Sequence, residues 1–177
     1  MTQTSRARAP RTLVATLLGT ALLLLMSACG MDAQTAQPYT PAEGVNANVG
    51  PAGEWVQVRN LMILSREDGV GYLSGSLVAE ERDALTAVAG HPFKLDASDG
   101  TAFKTTMPDP VGLSPGALVV LTDRELIEVS SPDLIVGADA ELTLTFSTVG
   151  EYTVRVPVVD ADQPDYKSIS PSPTPSS

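Results

Sequence analysis

The sequence predicts an all-β fold, an antiparallel Greek-key β-sandwich of seven to nine short strands. Three observations carry this. Residues 141–147 (Glu-Leu-Thr-Leu-Thr-Phe-Ser) and 152–159 alternate polar and apolar with period two, as half-buried strands do. Turn-forming residues recur at intervals of roughly 8–12 residues, the spacing of a sandwich or barrel. Helical periodicity is nearly absent; only Glu80–Leu85 could make one turn, and Gly90 and Pro92 limit it.

The elements follow in order. Residues 55–64 alternate at first and then become apolar, which reads as a strand entering a core. Arg66-Glu67-Asp68-Gly69 is a turn, with Gly69 free to take positive φ. Val70–Ala79 alternates, with small breaks at Gly71 and Gly75. Ala84–Ala89 and Pro92–Ala97 read as two short strands split at Gly90-His91, followed by a turn at Ser98-Asp99-Gly100. Ala117–Thr122 is a buried-strand run and Leu126–Val129 a short one. The strand at 141–147 turns at Gly150 into 152–159, the clearest hairpin of the chain.

The N-terminus carries an address. Arg6, Arg8 and Arg11 precede a 16-residue apolar run, Leu13–Ala28, and the only cysteine, Cys29, follows directly. A basic region, a short apolar region and small residues before a cut site make a secretory signal. A cysteine immediately after them makes it a lipoprotein signal: residues 1–28 are removed and Cys29 is acylated. The competing reading is an uncleaved anchor, but 16 residues fall short of the ~20 that span a bilayer. Several acyl chains anchor stably, each buried methylene adding about 0.8 kcal/mol. The expected location is the extracytoplasmic face of the cell membrane, reached through lipid.

Removing residues 1–28 leaves 149 of the 177, enough for one domain with flexible ends. The expected division is a tether at 29–53, a sandwich at 54–160 and a disordered Ser/Pro-rich tail at 161–177. The tether reading rests on small, polar, Pro/Gly-punctuated text; the alternative is that Tyr39–Gly50 lies ordered along the domain. The mature chain keeps 8 Lys plus Arg against 21 Asp plus Glu, formally −13. Such a surface argues against nucleic acid and against electrostatic docking on anionic lipid. A membrane held by lipid and an envelope protein partner are the expected contacts.

Chemistry-bearing residues are few. His91 is the single histidine, and no serine sits in a nucleophile elbow. No Gly-rich phosphate loop and no Cys/His zinc spacing occur. Asp96-Ala97-Ser98-Asp99-Gly100-Thr101 has the outline of a calcium loop without its later Glu, and a hairpin turn fits it better. An enzyme is not expected, and no cofactor is.

Residues from about Asn60 to Val159 resemble the periplasmic copper chaperone family PCu(A)C. The matching stretches are Gly71–Val78 with Asp83-Ala84-Leu85, Gly112–Gly116, and Leu142–Phe146 with Gly150 and Val154–Val158. Tyr39–Ala42 with Arg59-Asn60 resembles that family's actinobacterial lipoprotein branch, the LpqE type. The resemblance implies a cupredoxin-like sandwich in a single-membrane cell. It also implies where copper would sit: a His, ten residues, a Met, then a later His-x-Met, a soft set suited to Cu(I). Asp96 stands at the first His position, Met107 is retained, Glu125 replaces the second His and Ile127 the second Met. One thioether with two carboxylates is a poor Cu(I) site. The expected function is therefore a non-catalytic binding module with the usual ligands mostly lost. The alternative is copper handling at an altered site using Met107, Asp96 and His91. For the binding reading, the Pro-stiffened loop Thr105–Pro115, with Pro108, Asp109 and Pro110, and the Asp123-Arg124-Glu125 turn form the expected contact surface.

Overall fold

The computed structural model describes residues 43–123 and 126–168. The signal, Cys29, Arg124, Glu125 and residues 169–177 lie outside the described residues. Ten strands form: β1 (Val45–Val49), β2 (Val56–Glu67), β3 (Val70–Ala79), β4 (Asp83–Pro92), β5 (Lys104–Thr106), β6 (Val111–Leu113), β7 (Leu118–Val120), β8 (Glu128–Ser130), β9 (Asp139–Phe146) and β10 (Gly150–Asp160). The fold is all-β, as expected. Among the described residues the count reaches ten because β1, β5 and β6 add to the strands that the alternation marks.

The strands run in the order β5-β8-β3-β2-β10-β9-β4-β6, with β1 added on β2 and β7 on β3. Every ladder is antiparallel except one: Val158–Asp160 of β10 pair in parallel with Ile63–Ser65 of β2. The first part of β10, Gly150–Pro157, pairs antiparallel with β9. One long strand thus joins two sheets, one built on β2 and β3, the other on β4 and β9. Pro157 falls near the changeover, where it still faces Asp139 of β9.

Alternation puts the core between the sheets. In β9 every second residue is buried, from Ala140 through Leu142 and Leu144 to Phe146. These join Leu85 and Val156 of the neighbouring strands and Leu61, Ile63, Leu73 and Leu77 of the facing sheet in one cluster. Each such side chain contributes roughly 1.5–3 kcal/mol by leaving water.

Four boundaries differ from the sequence reading, each for a local reason. The expected split at Gly90-His91 is absent, and β4 is continuous. Gly90, at φ 145°, lets β9 come so close that a Cβ there would run into the Glu141 carbonyl oxygen. The segment 29–53 was expected as tether, yet Val45–Val49 pairs with β2. Side chains fasten it: Asn60, at φ 53°, accepts from Gly44 N–H at 2.9 Å and donates its own N–H to Asn46 Oδ1 at 2.9 Å. Arg59 donates to the Ala47 carbonyl at 2.6 Å and to Asn48 Oδ1 at 2.8 Å. The loop expected at 105–115 contains β5 and β6, leaving only Met107–Pro110 between them. Finally, the start of the expected tail is ordered: Ala161 is buried and its N–H donates to the Ser65 carbonyl at 2.9 Å.

Candidate functional site

The residues with the most chemistry gather on the outer face of β4, β9 and β10. Register brings them together. His91 of β4 lies opposite Glu141 of β9, and Glu141 lies opposite Arg155 of β10. These three form one row across the sheet. Phe93 sits two residues beyond His91 and so on the same face. Its N–H donates to the Asp139 carbonyl at 2.9 Å, which continues the pairing past the end of β4.

The side chains support one another. The Arg155 guanidinium carbon lies 4.5 Å from the centre of the Phe93 ring. Its Nε donates to Asp139 Oδ2 at 2.9 Å, and Nη2 forms an ion pair with the same oxygen at 2.9 Å. The His91 ring meets Phe93 edge-on, centroids 5.2 Å apart and planes at 77°. His91 Nε2 comes within 3.1 Å of Asp99 Oδ1 without a hydrogen bond between them. Arg155 remains 57% exposed, so the guanidinium presents further N–H donors to solvent while the Asp139 carboxylate and a ring hold it in place.

Beyond Phe93 the chain makes a tight hairpin. Lys94 N–H donates to the Ser98 carbonyl and Ala97 N–H to the Lys94 carbonyl, both at 2.8 Å. Ala97 takes φ 63°, an unusual place for a residue with a Cβ. Asp96 Oδ1 accepts from Ser98 N–H at 3.0 Å and from Ser98 Oγ at 2.6 Å. Those two bonds hold the Asp96 carboxyl below its ordinary value of 3.8. Asp133 behaves alike: Oδ2 accepts from Thr101 Oγ1 and N–H, both at 2.7 Å, and the carboxyl is held low. Leu95 at the hairpin tip is 85% exposed.

The residues singled out from sequence as copper ligands do not gather in one place. Met107 follows β5 and packs against the core between the sheets. His91 lies on the opposite, outer side of the β4 sheet, against Phe93. Asp96 is engaged by Ser98 at the hairpin tip. Ile127, at the second Met position, is buried in the core. Glu125 lies outside the described residues. Among the described residues, no three His, Cys, Asp or Glu side chains are arranged to hold a metal ion. Of the expected contact loop, Pro108, Asp109 and Pro110 are exposed.

Phe93, Asp139, Glu141 and Arg155 were not singled out from sequence. Their polar alternation along 139–141 and at 155 is visible there. The pairing that sets them beside His91 is not.

Comparison with known proteins adds the following. No protein-family model and no curated protein matches the chain. Among solved structures, the copper-bound PCuAC domain from PmoF2 is similar at 20% identity and TM-score 0.48, covering 66% of this chain and 98% of that domain. The apo PCuAC domain from PmoF1 gives 18% identity and TM-score 0.46, with coverages of 66% and 98%. The apo PCuAC domain of PmoF2 gives 19% and 0.43, with 66% and 97%.

Proposed function

We propose that this protein is a membrane-anchored envelope lipoprotein whose sandwich serves as a non-catalytic binding module. Acylation at Cys29 holds it on the extracytoplasmic face, as in the LpqE-type branch that the sequence resembles. Its partner is another envelope protein. Contact runs through the Arg155–Phe93–His91 face and the exposed Pro108-Asp109-Pro110 turn.

The observation that carries the reading is the use to which the residues at copper-ligand positions are put. Met107 fills space against the core. Asp96 ties down its own hairpin through Ser98. Ile127 offers no ligand atom and is buried. The pre-set guanidinium of Arg155 suits recognition: it is charged, oriented and accessible. A polar, aromatic-containing patch of this kind is typical of contact surfaces.

Anaerobic Cu(I) competition with a coloured chelator, on the chain from residue 31 onward, tests the reading. Weak uptake that is unchanged in Met107→Ala is the expected result. Tight one-to-one binding that Met107→Ala abolishes would replace the reading with copper handling at an altered site. In cells, metabolic palmitate labelling lost in Cys29→Ser tests the anchor, and cross-linking from position 155 tests the partner.

A further inference from the structure

Met62 and Leu64 alternate with the core residues Leu61 and Ile63 along β2, so they face away from the main core. Outward-facing apolar residues on a sheet are expected to be exposed, yet Met62 is 0% and Leu64 1% exposed. They form a second apolar cluster with Val159 and Ala161, and Tyr166 packs on it. Part of the cover comes from the chain just after β10, through Ala161 and Tyr166.

That cover is attached differently from a strand. Ala161 N–H donates to the Ser65 carbonyl of β2. Beyond it, Asp162 N–H donates to Asp160 Oδ1 at 2.8 Å and Gln163 N–H to the Asp160 carbonyl at 3.4 Å, both at the hinge, while Tyr166 and Lys167 N–H groups donate to the Gln163 carbonyl, at 3.0 and 3.1 Å. What ties 162–167 to the sheets is side-chain contact. Arg66 Nη1 meets Asp162 Oδ1 at 2.6 Å, and both side chains are solvent-accessible, 30% and 57% exposed. Arg66 Nη2 reaches the Lys167 carbonyl at 3.4 Å. Ion pairs this open to water hold weakly. Lifting 162–167 breaks no ladder hydrogen bond, so it does not require either sheet to unfold.

We infer that Asp162–Lys167 is a strap hinged at Asp160-Ala161, which opens while both sheets stay folded and so governs exposure of an apolar strip made by Met62, Leu64 and Val159. Open, the domain presents a thioether and two aliphatic side chains on the outer face of the β2–β10 pair.

Met62 is the reporter. Hydrogen peroxide transfers one oxygen to the exposed thioether, giving the sulfoxide and water, and mass spectrometry reads the site. In the full chain carrying Asp162→Arg and Tyr166→Ser, Met62 oxidises at least about tenfold faster than in the unaltered protein, a change expected without loss of the folded state. Adding Arg66→Asp to Asp162→Arg restores the charge pair in reverse and slows the reaction again. Equal Met62 rates in all variants, or rates that follow only the melting temperature, would overturn the strap. Native-state hydrogen exchange on the unaltered protein gives an independent reading. Tyr166 and Lys167 N–H groups should exchange by a denaturant-independent local opening, while Leu144 N–H exchanges only through global unfolding. Exchange of all three through global unfolding would overturn the inference as well.

Discussion

Asp83 and Ser147 stand 64 positions apart and share a hydrogen bond of 2.6 Å, Ser147 Oγ donating to Asp83 Oδ1. Through it the start of β4 is fastened to the turn between β9 and β10. Asp83 is buried, and it also accepts from the N–H groups of Ala84 at 2.7 Å, Thr148 at 2.9 Å and Val149 at 3.1 Å. Burial alone pushes this carboxyl up. The bonds from Ser147, Ala84, Thr148 and Val149 together outweigh that and hold it below 3.8.

A carboxyl held low in the native state stabilises the fold above its unfolded value, and that contribution is lost as pH falls through the native value. Asp83→Ala takes the acceptor from the Thr148 and Val149 N–H groups and from the Ser147 hydroxyl, and should cost about 2–3 kcal/mol at pH 7. Asp83→Asn keeps an acceptor and should cost less. Urea unfolding measured at pH 7 and again below pH ~4 should show the gap between wild type and Asp83→Asn narrowing in acid. A gap that widens would contradict the assignment.

Gly90 fixes the spacing of β4 and β9 beside His91. Gly90→Ala should destabilise by at least about 3 kcal/mol or prevent folding, since the added methyl meets Glu141 backbone at a φ that L-residues avoid. Gly112→Ala is the control: a Cβ there meets nothing within 4 Å. Its effect on the urea midpoint should lie within about 0.5 kcal/mol.

Ala97 holds a left-handed conformation at φ 63°. Relief of the Cβ strain by Ala97→Gly should exceed the added freedom of the unfolded chain, for a net gain of about 0.5–1 kcal/mol. Thermal unfolding at neutral pH reads the change; a lower melting temperature would show that the strain is absent.

The proposed role of Arg155 in partner contact can be separated from stability. Its ring contact and its bonds to Asp139 are open to water, so Arg155→Ala should change stability by no more than about 1 kcal/mol. Cross-linking of the envelope partner should fall sharply in the same variant. Arg155→Lys keeps the charge but loses the planar fork, and should restore little of that yield. Full partner capture by Arg155→Ala would move the contact surface elsewhere.

Much of the β pattern was legible from alternation. The β9–β10 hairpin appears where Glu141–Ser147 and Tyr152–Val159 predict it. The β2–β3 hairpin turns at Gly69, as its sequence requires. Strands too short to show a period, such as β5 and β6, were hidden within a Pro-rich stretch. The strand β1 was hidden for another reason. Its five residues Val45–Val49 are held by Arg59 and Asn60 side chains, and text of that length cannot reveal partners so far along the chain.

The sequence by itself determined the class of fold and the hydrophobic set. These are properties of residue identity and local period, and they need no partner to be read. Only the tertiary structure decided which residues meet. It set His91 beside Phe93 rather than Met107, placed Arg155 over that ring, and laid Tyr166 across the cluster under β2 and β10. Strand register fixes such neighbours, and register emerges from burial of one face of each strand against another element, with the opposite face following at a period of two.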